Sequence, residues 1–175
     1  MHFDLVQATS VLERTPAVLR ALLAGLDQAW TGCRIGPDDF SPFDVVGHLI
    51  HGEKTDWMPR LEHIFAHGDA VAFTAFDRFA MYTESRGKSL GELLDEFAAL
   101  RHASLEALRG RRLEPADFAR VGLHPDLGRV TLAQLLATWA VHDLNHIEQI
   151  VRTMAFQHRD AVGPWRPFLG ILPQG

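Results

Sequence analysis

An all-α helical bundle is the fold class this sequence predicts, and three observations carry the prediction. Four long segments place apolar residues at the three- and four-residue spacing that lines one side of a helix. Three of them open on Ser or Thr with an acid or amide three residues later, the pattern by which a helix start satisfies its free backbone N–H groups. No segment shows the alternation of a strand, and there is no internal repeat or low-complexity tract. Four principal helices joined by connections of mixed length make a four-helix bundle, expected as a single domain over residues 1–175.

Residues from about Asp4 to Trp30 read as the first helix, with an interruption at Thr15-Pro16, where Pro suits a first helical position. Its second segment, Ala17–Ala29, turns Val18, Leu19, Leu22, Leu23 and Leu26 inward. Gly32, Gly36 and Pro37 then break it. The second helix has the clearest start in the chain: Ser41 as cap, Pro42 at the first position and Asp44 near the positive helix end. It runs to His67, with Gly68 stopping it, and Pro59 bends or splits it by freeing the carbonyl of Thr55. Val45, Val46, Leu49, Ile50, Trp57, Leu61, Ile64 and Phe65 form its apolar face, while Asp44, His48, His51 and Thr55 lie along a polar strip at the edge.

Gly68–Lys88 lacks periodicity but holds Phe73, Phe76, Phe79, Met81 and Tyr82, so it is expected to pack across the bundle. Ser89 and Glu92 start a third helix that Leu90, Leu93, Leu94, Phe97, Leu100, Leu105 and Leu108 carry to Gly110. Pro115–Arg120 adds a short turn, and Val121–Val130 reads as a loop. Thr131 and Gln134 then open the last long helix, Leu132–Met154. Beyond about Phe156 the pattern fades, and the Trp, Phe and Leu of the tail are expected over an apolar groove or a neighbouring subunit.

Composition narrows the function classes. Hydrophobic residues make up 47% and charged residues 22%, the balance of a soluble globular chain. No apolar run approaches the ~18 residues of a membrane span, and the N-terminus lacks a basic segment leading into an apolar one, so the expectation is a cytoplasmic protein without a membrane partner. The formal charge is −5 with Lys and Arg scattered, which argues against nucleic acid and for a small-molecule partner. The single Cys33 has no His beside it in sequence and reads as a passive thiol.

The chemistry-bearing residues are histidines. His142 and His146 stand one turn apart on the stripe formed with Leu135, Trp139, Gln149 and Ile150, so both rings point to one spot beside the helix, a bidentate clamp for a transition metal. Two such residues also arise by chance in a chain with 10 His, and a third ligand is needed. His48, on a different helix and on the polar strip, is the candidate: bundle proteins build metal sites from facing helices, and three neutral imidazoles leave a coordination position open. His51, one turn from His48, is a fourth ligand or a proton carrier. Glu53 faces away from the His48 strip on an ideal helix, and with His51 it is the first group to test as a proton acceptor. Asp44 is a candidate to orient His48, and His63 and His67 read as a helix-end pair.

The segment Ser41-Pro42-Phe43-Asp44-Val45-Val46-Gly47-His48-Leu49-Ile50, followed far downstream by His142-Asp143-Leu144-Asn145-His146-Ile147-Glu148-Gln149-Ile150, resembles the DinB-like superfamily of four-helix metalloproteins. The resemblance implies an up-down-down-up bundle, often a homodimer, whose residues matching His48, His142 and His146 bind one divalent transition metal. Nickel or zinc is implied first, with iron or manganese as alternatives. It also implies activation of a low-molecular-weight thiol for S-transfer, with hydrolysis by a metal-activated water as the other enzymatic reading. Phe40 stands where the family often has Trp, and no thiol-binding motif matches. A non-catalytic metal or small-ligand binder, sensor or carrier, and a purely structural dimer are the competing classes.

Overall fold

The computed structural model describes residues 3–172. Its helices are α1 (Leu5–Leu12), α2 (Thr15–Leu23), α3 (Gln28–Thr31), α4 (Pro42–Thr55), α5 (Trp57–His67), α6 (Met81–Glu84), α7 (Leu90–Gly110) and α8 (Leu132–Phe156). Strands β1 (Val121–His124) and β2 (Gly128–Thr131) pair antiparallel, and 3₁₀ turns cover Pro115–Ala119 and Gly163–Phe168. Four columns build the bundle: α1–α2, α4–α5, α7 and α8.

The charged contacts between columns fix its topology. Glu13 with Arg109 and Arg20 with Asp95 make α1–α2 antiparallel to α7. Lys54 with Glu96, Glu53 with Arg101 and Glu62 with Arg111 make α4–α5 parallel to α7. His48 beside His146 and Trp57 beside Trp139 make α4–α5 antiparallel to α8. The sum is an up-down-down-up bundle with the long 68–88 connection spanning the parallel pair.

The helix starts follow from their caps. Ser41 with Asp44, Ser89 with Glu92 and Thr131 with Gln134 each close a reciprocal capping box, satisfying two free donors at the N-terminus. The second column splits at Asp56, three residues before Pro59, because the ring of Pro59 excludes the carbonyl of Thr55. Asp44 serves its own helix start, its Oδ2 accepting from the backbone N–H and hydroxyl of Ser41 and from Arg34, and among the described residues no hydrogen bond joins it to His48.

Several sequence expectations are corrected. The loop expected over Val121–Val130 is a β-hairpin, closed at Gly128 with φ +73°. Its four-residue strands are too short for alternation to register. Val18 and Leu26 face solvent, since α2 stops at Leu23 and the chain turns at Gly25 with φ +82°. In the tail Leu172 is buried, while Trp165 and Phe168 are exposed rather than laid in a groove of the described chain.

Two apolar cores stack along the bundle. One gathers Leu12, Trp57, Leu61, Leu105, Leu136 and Trp139; the other gathers Leu19, Val46, Ile50, Leu94, Phe97 and Ile150. Between them lies a buried charged layer. Arg101, 1% exposed, donates to Glu53 through Nε and Nη2 at 3.0 and 2.8 Å, to both carboxylate oxygens of Asp143, and to the Leu12 carbonyl at 3.0 Å. Trp139 Nε1 adds a third donor to Glu53 Oε1 at 3.0 Å. This layer ties all four columns together at one level.

Candidate metal centre

Above the charged layer, α4 and α8 bring His48 to His142 and His146 with all three ring edges turned to one point. His48 Nε2 lies 3.3 Å from His142 Nε2, and His146 Nε2 lies 3.1 Å from it. The three donor atoms all fall within 4.8 Å of one another. The i, i+4 spacing on α8 supplies two of the rings, and the antiparallel approach of α4 supplies the third.

The protonation pattern shows what this cluster fits. His146 Nδ1–H donates to Gln149 Oε1 at 2.8 Å, which leaves the lone pair of Nε2 facing the other rings. A ring nitrogen is a donor or an acceptor, not both, so hydrogen bonding satisfies one of the two short contacts of His142 Nε2 and leaves the other uncompensated. Among the described residues the buried Nδ1 atoms of His48 and His142 find no hydrogen-bond partner; the Arg78 backbone, near enough to favour a charged His48 ring, closes no normal bond on Nδ1. A tetrahedral cation with bonds of 2.0–2.1 Å sets its nitrogens about 3.3–3.4 Å apart. Two of the three separations are close to this value and the third lies within 4.8 Å, so the three inward nitrogens fit one divalent transition metal, with a position left open.

Electrostatics agree. Burial, reinforced by His146, pushes His48 down to about 4, and burial with His146 and His48 beside it pushes His142 down to about 2. Burial also lowers His146, against the Gln149 hydrogen bond and the nearby Asp143 carboxylate. All three rings are neutral at pH 7, the form that binds a metal without competition from protons.

His51 and Glu53 do not join this cluster. His51 Nδ1 pairs with Glu84 Oε1 at 3.0 Å, and Phe76 packs on the rings of both His48 and His51. Glu53 Oε1 sits in the charged layer against Arg101 and Trp139. His63 bonds the Val71 carbonyl and stacks near His67, and Glu148 pairs with Arg152 on the surface.

Of the cavities beside the histidines, two share His48 and Arg78. The larger, about 580 Å³, opens beside His146 and carries Asp39, Asn145, Glu148 and Arg152. The smaller, about 310 Å³, opens beside His142 between the α4–α5 break and the hairpin, with mainly apolar walls. Two glycines make this enclosure possible. A Cβ at Gly47 would lie 2.4 Å from Ser85 Oγ, so its absence lets α6 and the segment holding Phe76 and Arg78 close on α4. A Cβ at Gly122 would lie 2.5 Å from Phe73, so the hairpin presses onto the bundle there.

Sequence reasoning overlooked Arg101 and Asp56. Arg101 continues the apolar stripe of Leu94, Phe97, Leu105 and Leu108, and Glu53 and Asp143 occupy the equivalent stripe positions of α4 and α8; three charges at core positions on three helices were the readable signal. Asp56 stands at the helix break on the wall of the smaller cavity, its carboxyl raised by burial against the pull of Arg60, His124 and His51. Arg60 lies against its Oδ1, off the line of a proper hydrogen bond.

Comparison with known proteins supplies the lineage. The family model of the DinB superfamily matches residues 11–150. YfiT from Bacillus subtilis, described as a probable metal-dependent hydrolase with an unusual four-helix bundle topology, superposes with a TM-score of 0.74 at 20% identity, over 90% of this chain and 87% of that one. No curated protein matches in sequence. The chain belongs to the DinB superfamily.

Proposed function

We propose that this DinB-superfamily chain is a metal-dependent enzyme acting on a small molecule, with His48, His142 and His146 holding one divalent transition metal, zinc or nickel. The observation that carries the reading is the convergence of three buried imidazole nitrogens, within 4.8 Å of one another, whose mutual contacts hydrogen bonding cannot all satisfy. When bound, such a metal lowers the pKa of a thiol or water in its open position and polarises the bond under attack. The nucleophile is a low-molecular-weight thiol, giving S-transfer, or water, giving hydrolysis. The description of YfiT as a probable hydrolase favours water, and the 580 Å³ polar cavity has room for a charged thiol.

The chain's own groups then have distinct tasks. Gln149 holds His146 in the tautomer that points its Nε2 lone pair inward. Glu84 accepts from His51 Nδ1–H, which leaves His51 Nε2 free to take a proton, so His51 is the proton acceptor. Glu53, committed to Arg101 and Trp139, serves by fixing the level of α4 against α7 and α8. Exposed Trp165 and Phe168 support a homodimer that covers the tail, and sedimentation of Trp165→Ser against wild type tests it.

The decisive experiment is elemental analysis of untagged protein, wild type against His48→Ala and His142→Ala. One equivalent of divalent metal in wild type, lost from both variants, is the expected result. Metal absent from wild type, or retained equally in both variants, removes the metalloenzyme reading and leaves a structural bundle.

A further inference from the structure

The two cavities that share His48 and Arg78 differ in chemistry, and the difference names a substrate feature. The larger one presents Asp39, Glu148 and Arg152, groups suited to a charged molecule. The smaller presents Trp57, Phe76, Val130 and Leu135, with His48 and His142 at its floor. Asp56 and Arg60 face each other, the Arg60 guanidinium lies over the Phe73 ring at 5.2 Å, and Arg78, shared with the larger cavity, lies over the rings of Phe40 and Phe79.

At its mouth stands Leu127, 73% exposed at the hairpin tip. A leucine offered to solvent from a loop costs apolar burial, and here the protein fixes it rather than letting it sway. His124 Nδ1 accepts from the backbone N–H groups of Asp126 and Leu127 at 3.1 and 3.2 Å. Phe73 N–H donates to the Leu123 carbonyl at 2.8 Å, anchoring the strand behind it. A rigid apolar tip over an apolar hollow is preorganised to cover an apolar guest.

We infer that the smaller cavity is the subsite for an uncharged apolar group, an aromatic ring or branched alkyl chain, of a small molecule whose polar head lies at the three histidines. This rests on the metal-dependent reading and adds the substrate class. The volume of about 310 Å³ lies at the low end of small-molecule sites and suits one ring with its head group. Leu127 closes the guest from the hairpin side and Phe76 from the linker side.

The test is calorimetric binding of acetohydroxamate and benzohydroxamate to zinc-loaded protein, two ligands with the same chelating head that differ in a methyl against a phenyl group. Benzohydroxamate is expected to bind at least about tenfold more tightly to wild type, from burial of the ring. Leu127→Asp, at an exposed position, is expected to bring the two within about threefold while leaving acetohydroxamate unchanged. Arg152→Glu, in the other cavity, is expected to keep the wild-type preference. Equal binding of both ligands to wild type, or a preference abolished by Arg152→Glu and not by Leu127→Asp, overturns the subsite while the metal reading stands. Failure of acetohydroxamate to bind, with no zinc taken up, overturns both.

Discussion

Two buried polar clusters sit side by side in this bundle and solve the cost of burial in opposite ways. In the Arg101 layer five donor contacts from one guanidinium meet two carboxylates and a backbone carbonyl. In the histidine cluster three nitrogens face one another, and among the described residues nothing satisfies the second short contact of His142 Nε2 or two of the Nδ1 atoms. In the first cluster every charge meets an opposite charge, with Glu53 Oε2 lacking a hydrogen-bond partner among the described residues; in the second the groups left without partners are good metal ligands. A self-compensated network reads as a structural tie, and an uncompensated one of good ligands reads as a site.

The sharpest way to break the comparison is Arg101→Met. Removing the guanidinium leaves Glu53 and Asp143 buried without their counter-charge, so the protein should lose roughly 3–5 kcal/mol in chemical denaturation. His142→Met, at the other cluster, removes an uncompensated ring and should cost the metal-free protein far less. Comparable losses from the two substitutions would end the distinction.

The next effect is ligand-driven. Zinc at 100 times its dissociation constant should raise wild-type stability by about 2.7 kcal/mol in a thermal melt, and should leave His142→Ala unmoved. Gln149→Leu frees the tautomer of His146 and should weaken zinc binding by roughly 10–100-fold in competition with a chromogenic chelator, with little change in the metal-free melt.

The smallest effect is the response to acid. His48 and His142 are lowered in the folded state, so the unfolded chain binds more protons below the ordinary histidine range. Each contribution is fully present above pH 6.5 and fades as the pH falls, toward about 4 for His48 and about 2 for His142. Between pH 6.5 and 5.5 chelator-treated wild type should lose about 1 kcal/mol for each ring, and His48→Ala should lose less over the same interval. A flat profile for wild type would show that the cluster is solvated and the contrast with Arg101 overstated.

Legibility in the sequence follows the range of the forces involved. The starts of α4, α7 and α8 were readable because a capping box is a contract between residues three apart. The split near Pro59 and the pairing of His142 with His146 were readable for the same local reason. The hairpin was not, because Val121–His124 and Gly128–Thr131 are too short to display a period and are held by a bridge from Ala72 to Leu123 and by packing of Gly122 on Phe73.

The charged layer went unread because Arg101 was passed over among the leucines, although its spacing from Phe97 and Leu105 placed it in the core. Nothing within α7 says that its partners are Glu53 and Asp143. By itself, then, the sequence determined the long helical segments, the break near Pro59 and the presence of imidazoles able to share a cation. The tertiary structure decided which distant groups meet: His48 with His142 across 94 positions, Glu53 with Arg101 instead of the histidines, Asp56 and Leu127 on one cavity. Such choices depend on how helices align in three dimensions, where chain separation carries no information about distance.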